Sequence, residues 1–143
     1  MGSWNSKLAV GNAAIDEQHR ALFEHADGLL EAMRQHRAPA EVATLLLFLR
    51  DYCRSHFAME EGIMAANLYP HREGHAAQHR EFERRFKVIE EHIAERGPTA
   101  LAILDLKDLI RGWLVSHIGS IDQRLADYLS GLPVHADPKR SHG

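Results

Sequence analysis

Four times along this chain, apolar residues recur at intervals of three and four, the spacing that lines one face of an α-helix. The first block covers residues 16–35 and aligns His19, Leu22, Phe23, Ala26, Leu30 and Met33. Pro39 suits the first turn of a second helix, where its missing N–H is no loss. That helix carries Leu45, Leu49, Tyr52, His56, Glu60 and Ile63 on one stripe and ends before Tyr69 and Pro70. The third follows this proline and groups His75, His79, Phe82, Phe86, Ile89 and Ile93, until Gly97 and Pro98 break it. The fourth aligns Leu106, Ile110, Trp113, His117, Ile121 and Leu125, running to about Tyr128. No sustained period-two alternation competes with these blocks. Four amphipathic helices with short connections predict an all-α protein, an antiparallel up-down-up-down four-helix bundle. Residues 1–130 are expected to form one domain, of which 1–15 are an N-terminal arm. Residues 131–143, polar and interrupted by Pro133 and Pro138, are expected to be a disordered tail.

Charge and composition exclude several functions. A net charge of −3 leaves no electrostatic footprint for nucleic acid or an anionic membrane. The longest apolar run, residues 45–49, is far too short to span a bilayer. The start of the chain lacks the charged, apolar and small-residue succession of a signal peptide. The single cysteine, Cys53, cannot form an internal disulfide, so the expected location is the reducing cytoplasm.

The anomaly is histidine, present eleven times. A bundle core should be apolar, yet every stripe holds a histidine and the second also holds Glu60. Buried imidazoles and carboxylates are costly unless paired, hydrogen-bonded or metal-bound. One histidine on an apolar stripe is more often a satisfied core residue than a ligand; histidines on all four stripes with acidic companions favour metal. His56 and Glu60 are four residues apart, as are His75 and His79, so each pair projects from one helix face. His117 and Asp122 are five apart, about 140° round an ideal helix. They can share a site if Asp122 approaches from the side or a local π-type bulge closes the gap. Gly119, between them, eases either solution. His25, His36, His71, His92, His135 and His142 fall off the stripes and are expected to be solvated. Cys53 is expected to be a small packing residue. Imidazole and carboxylate without thiolate suit iron, copper, nickel, manganese or zinc rather than calcium or magnesium. Seven such ligands, His19, His56, Glu60, His75, His79, His117 and Asp122, exceed the needs of one ion. Two ions sharing the carboxylates are the natural solution.

The chain also resembles a known family, the hemerythrins, and among them the single-domain bacterial members. The resemblance runs from Trp4 with Val10-Gly11 through Ile15-Asp16-Glu17-Gln18-His19, His56-Phe57, Glu60-Glu61 and Met64. It continues with Tyr69-Pro70, His75, His79, Trp113-Leu114, His117-Ile118 and Asp122, with no ligand position missing. Gly112 and Gly119 in the last helix are departures. The resemblance implies two iron ions with an oxo or hydroxo bridge. One is held by His75, His79 and His117, the other by His19 and His56, and Glu60 and Asp122 bridge both. This count leaves the two-histidine iron one position short, where dioxygen, or small anions such as azide, would bind. Reversible binding needs a dry pocket, for which spacing nominates Leu22, Phe57, Trp113, Leu114 and Ile118.

Oxygen storage, transport or scavenging is therefore the expected function, by a binding protein rather than an enzyme. An oxygen- or redox-sensing domain, acting through a partner or cut from a longer signalling protein, is the alternative. A minor oxidase or peroxidase activity is left open, although no glutamate is followed by histidine three residues later, as ferritin-like oxidases require. A structural zinc site is disfavoured because such sites are four-coordinate and closed.

Overall fold

A computed structural model describes residues 8–131. Trp4, His135, His142 and the expected C-terminal tail from Leu132 onward lie outside these residues, as does the arm before Leu8. Helix α1 spans Ala13–Arg34, α2 Pro39–Ala66 and α3 Arg72–Arg96. The fourth rod is composite. It opens as α4, Ala100–Lys107, winds as a π-helix over Asp108–Leu114 and again over His117–Asp122, and closes as α5, Gln123–Leu129. Each rod packs on the next and α1 packs on α4, closing the four-helix bundle. No described helix is long and apolar enough to cross a membrane.

Local chemistry sets the ends. Helix α1 starts three residues before the expected Asp16 because Asn12 caps it, its Oδ1 accepting from the Ile15 N–H at 3.1 Å. Asp16 is therefore free to hold the arm, accepting from the N–H groups of Val10 at 2.8 Å and Gly11 at 3.2 Å. Gly11 turns there with a φ of 91°, which glycine adopts without strain. Gln123 then donates to the Val10 carbonyl at 3.0 Å, tying the arm to the last helix. Thr99 caps α4 through the Ala102 N–H and also meets His92 Nε2 at 2.7 Å, so His92 is half-buried rather than solvated.

The core follows the predicted stripes of α1 and α3 closely. In α2 the buried line is Val42, Leu46, Leu49, Cys53, His56, Phe57, Glu60 and Met64. Leu45, Tyr52 and Ile63, expected on that line, are only half-buried. Cys53 is the buried packing residue it was expected to be, and burial pushes its thiol pKa far up, so it is inert.

Candidate metal centre

The middle of the bundle is polar. His19, His56, Glu60, His75, His79, His117 and Asp122 are each no more than 2% exposed, and all seven are residues expected from sequence. They divide into two overlapping groups whose donor atoms lie within 4.8 Å of one another. One is Glu60, His75, His79, His117 and Asp122; the other is His19, His56, Glu60 and Asp122.

The carboxylates split between the groups, one oxygen to each. Glu60 Oε1 lies 3.3 Å from His75 Nε2 and 3.0 Å from His79 Nε2, while its Oε2 lies 3.3 Å from His56 Nε2 and 3.8 Å from His19 Nε2. Asp122 Oδ1 lies 2.9 Å from His75 Nε2 and 3.1 Å from His117 Nε2, and its Oδ2 lies 2.9 Å from His19 Nε2. All five imidazoles thus aim Nε2 inward at two carboxylates.

The π-helical turn over His117–Asp122 makes this possible. Its i→i+5 bonding brings residues five apart onto one face, so the second of the two expected solutions is the observed one. The other π segment, over Asp108–Leu114, was not foreseen. Gly112 and Gly119 fall one in each, and a Cβ at either would meet nothing within 4 Å, so neither glycine is there for close packing.

Three outer nitrogens have built acceptors. His56 Nδ1 donates to Gln18 Oε1 at 2.7 Å, His79 Nδ1 to Glu61 Oε2 at 2.8 Å, and His117 Nδ1 to Gln78 Oε1 at 3.2 Å. Such bonds fix the tautomer that leaves Nε2 free for a metal. Each acceptor sits beside an inward residue of one helix and reaches a histidine of the next. That adjacency was the available signal for a role the sequence reading did not assign.

Aromatic rings complete the setting. Phe57 stacks on His79 with centroids 4.0 Å apart, and Trp113 stacks on His117 at 4.9 Å. Phe57 is also 5.8 Å from the His56 ring, so it borders both groups. Leu22, Phe57, Leu114 and Ile118 are buried, whereas Trp113 is half-buried.

Protons occupy the cluster when no cation does. Burial opposes charge on His19 and His75, but the Asp122 and Glu60 carboxylates beside them outweigh it and lift both to about 9. Burial also opposes ionisation of Glu60, and the imidazoles of His19, His56, His75 and His79 override it, holding its pKa well below the ordinary value. Asp122 is held low by His117, His19 and His75 against burial and the Glu60 charge. Burial lowers His117. Several of the inward atoms, Glu60 Oε2, both Asp122 oxygens, His19 Nε2 and His117 Nε2, still have no well-directed hydrogen bond. Buried polar atoms without partners are rare, and this donor set fits two cations sharing two carboxylates.

A four-helix bundle with a buried histidine–carboxylate cage defines a cation-binding domain. The family profile Hemerythrin HHE cation binding domain matches residues 10–129. The chain belongs to the hemerythrin family. It is similar to a protein named bacteriohemerythrin from Stenotrophomonas maltophilia, 32% identical over 126 residues, covering 87% of this chain and 78% of that one. A bacteriohemerythrin of Pseudomonas aeruginosa is 33% identical over the same shares. A hemerythrin-like protein of Naegleria gruberi is 28% identical over 85% of this chain and 88% of that one.

Proposed function

We propose that the chain binds dioxygen reversibly at a pair of iron ions held by His19, His56, Glu60, His75, His79, His117 and Asp122. The observation that carries this reading is the splitting of each carboxylate between a three-histidine and a two-histidine group. Five protein donors face one position and four face the other. A metal at the poorer position keeps room for a small molecule, as an open site must. Two irons, when bound, supply the reversible two-electron chemistry that dioxygen carriage requires.

The protein's own part is to bind, orient and exclude. Gln18, Glu61 and Gln78 hold three imidazoles in the tautomer that presents Nε2 inward. Glu60 and Asp122 supply two negative charges that offset cationic charge in a buried setting. Phe57 against His56 and His79, and Trp113 against His117, set apolar rings on the cage; with the buried Leu22, Leu114 and Ile118 they are assigned the role of keeping water and protons from the bound ligand. Small anions such as azide are expected to compete for the same open position. The reading is of a binding protein rather than an enzyme.

The test is an optical cycle. Reduced, iron-loaded protein is exposed to air and then flushed with argon. A visible absorption that appears with air and is lost under argon over repeated cycles is expected. Irreversible oxidation in the first exposure would contradict dioxygen carriage.

A further inference from the structure

Three of the five imidazoles have side-chain acceptors for their outer nitrogen; the fourth, His19, leaves its Nδ1 buried without a partner but lines no cavity among the described residues. The fifth, His75, differs. Its Nε2 faces Glu60 and Asp122, while its Nδ1, on the opposite edge of the ring, is buried without a partner. His75 also forms part of the wall of a surface cavity of about 580 Å³ where α3 begins.

Most of the charged and amide groups at that wall are donors. Arg72, Glu73 and Gly74, the first turn of α3, line the cavity, and no side chain caps this 25-residue helix. Leading N–H groups of a helix have no intrahelical acceptor, and they carry the positive end of its dipole. Arg72 and Arg124 line the cavity as well. Gln78 does too; its Oε1 is engaged by His117, which leaves its amide nitrogen to donate. Against these donors stands one lining carboxylate, Glu73.

We propose that this cavity is a binding site for a small oxyanion, a carboxylate or a phosphate group. The Arg72 N–H already donates to the Tyr69 carbonyl at 3.3 Å, so the oxygens accept from the N–H groups of Glu73 and Gly74, from His75 Nδ1 and from the Arg72 guanidinium, an arrangement that suits anions at helix N-termini. The site is separate from the open position beside His19 and His56. It lies behind His75, so its occupant gives that ring's outer nitrogen the acceptor it lacks and reaches the metal pair only indirectly, through His75 and through the Gln78 amide that holds His117. The assignment of the Nδ1 proton rests on His75 being a metal ligand through Nε2.

The experiment is calorimetric titration of iron-loaded protein with inorganic phosphate and, separately, with acetate, at constant ionic strength. Two variants serve as controls. Arg72→Gln removes one guanidinium at the surface. Gly74→Asp places a competing carboxylate in the site, where a Cβ meets nothing within 4 Å and a negative charge near a helix N-terminus favours the fold. Saturable binding of either anion with a Kd tighter than about 1 mM is expected. Arg72→Gln should weaken it roughly tenfold, and Gly74→Asp should abolish it while raising Tm. Phosphate binding alone assigns a phosphate-bearing ligand, and acetate binding a carboxylate. Absence of saturable binding overturns the proposal, and so does equal affinity in both variants, which places the anion elsewhere, including on the metal pair. Iron content and the air–argon cycle measured on the same samples report separately on the dioxygen reading.

Discussion

Truncating Glu61 isolates what an outer hydrogen bond contributes to the metal centre. Its Oε2 accepts from His79 Nδ1 at 2.8 Å, yet its side chain is 44% exposed, so Glu61→Ala opens no core cavity. The fold should therefore lose little, within about 0.5 kcal/mol as for ordinary surface changes. His79, by contrast, loses the group that fixes its tautomer, and removal of such a partner weakens metal affinity by about 10- to 100-fold. That is about 1.4 to 2.7 kcal/mol per site. Gln78, whose bond to His117 is longer at 3.2 Å and uncharged, should matter less than Glu61 when each is changed to alanine. Glu61→Gln keeps an acceptor and should fall between wild type and Glu61→Ala. Competition against a chelator of known affinity reads these differences, with thermal melts of the metal-free proteins as the control for folding. Unchanged affinity in Glu61→Ala, or a melt that falls as steeply as the affinity, would refute the reasoning.

Three further outcomes follow from the same geometry. His79→Ala removes an imidazole from the richer group and should prevent stable loading of two irons per chain; elemental analysis finding both would overturn the ligand assignment. Leu114→Ala deletes a buried side chain and should cost about 2–5 kcal/mol in a denaturant titration, with iron retained and oxidation of the dioxygen form faster, as should Trp113→Ala; unchanged oxidation rates in both would remove the sealing role. In metal-free protein, His19 and His75 are raised from 6.5 to about 9, so their stabilisation is complete below pH 6.5 and lost as pH climbs to 9. Glu60 is shifted the opposite way from 4.5, so its contribution holds above that pH and is lost as pH falls. Metal-free Tm should fall from pH 6.5 to 9 while apparent metal affinity rises, because the ion displaces those protons; a rising or flat Tm would contradict this.

The bundle and the cage were legible because their signals are periodic or chemically expensive. Polar residues on four apolar stripes have few physical explanations, and all seven fall together in the core. Boundaries followed from capping chemistry, and Asn12 moved the start of α1 because its side chain, not the first apolar residue, begins the helix. In α2 the period could not choose between neighbouring lines. Leu45 through Leu49 are apolar on every side, so the buried line through Leu46 and Cys53 and the half-buried one through Leu45 and Tyr52 both pass through His56. The π turn at His117 was visible as an awkward spacing, whereas the one over Asp108–Leu114 has no ligand pair to betray it. Gln18 and Glu61 stand in the recognised segments and Gln78 does not, but the acceptor role of all three was illegible because polar residues flanking a core position resemble a solvated helix face; only the placement of the next helix shows which imidazole each one meets.

The central claim is that two carboxylates divide seven donors into two unequal metal positions. Anomalous scattering at the iron edge from crystals of iron-loaded protein tests it directly. Two peaks are expected per chain, one among His75, His79 and His117 and the other beside His19 and His56, with Glu60 and Asp122 giving one oxygen to each. A single peak, or two peaks with Glu60 and Asp122 bound to only one of them, would contradict the account.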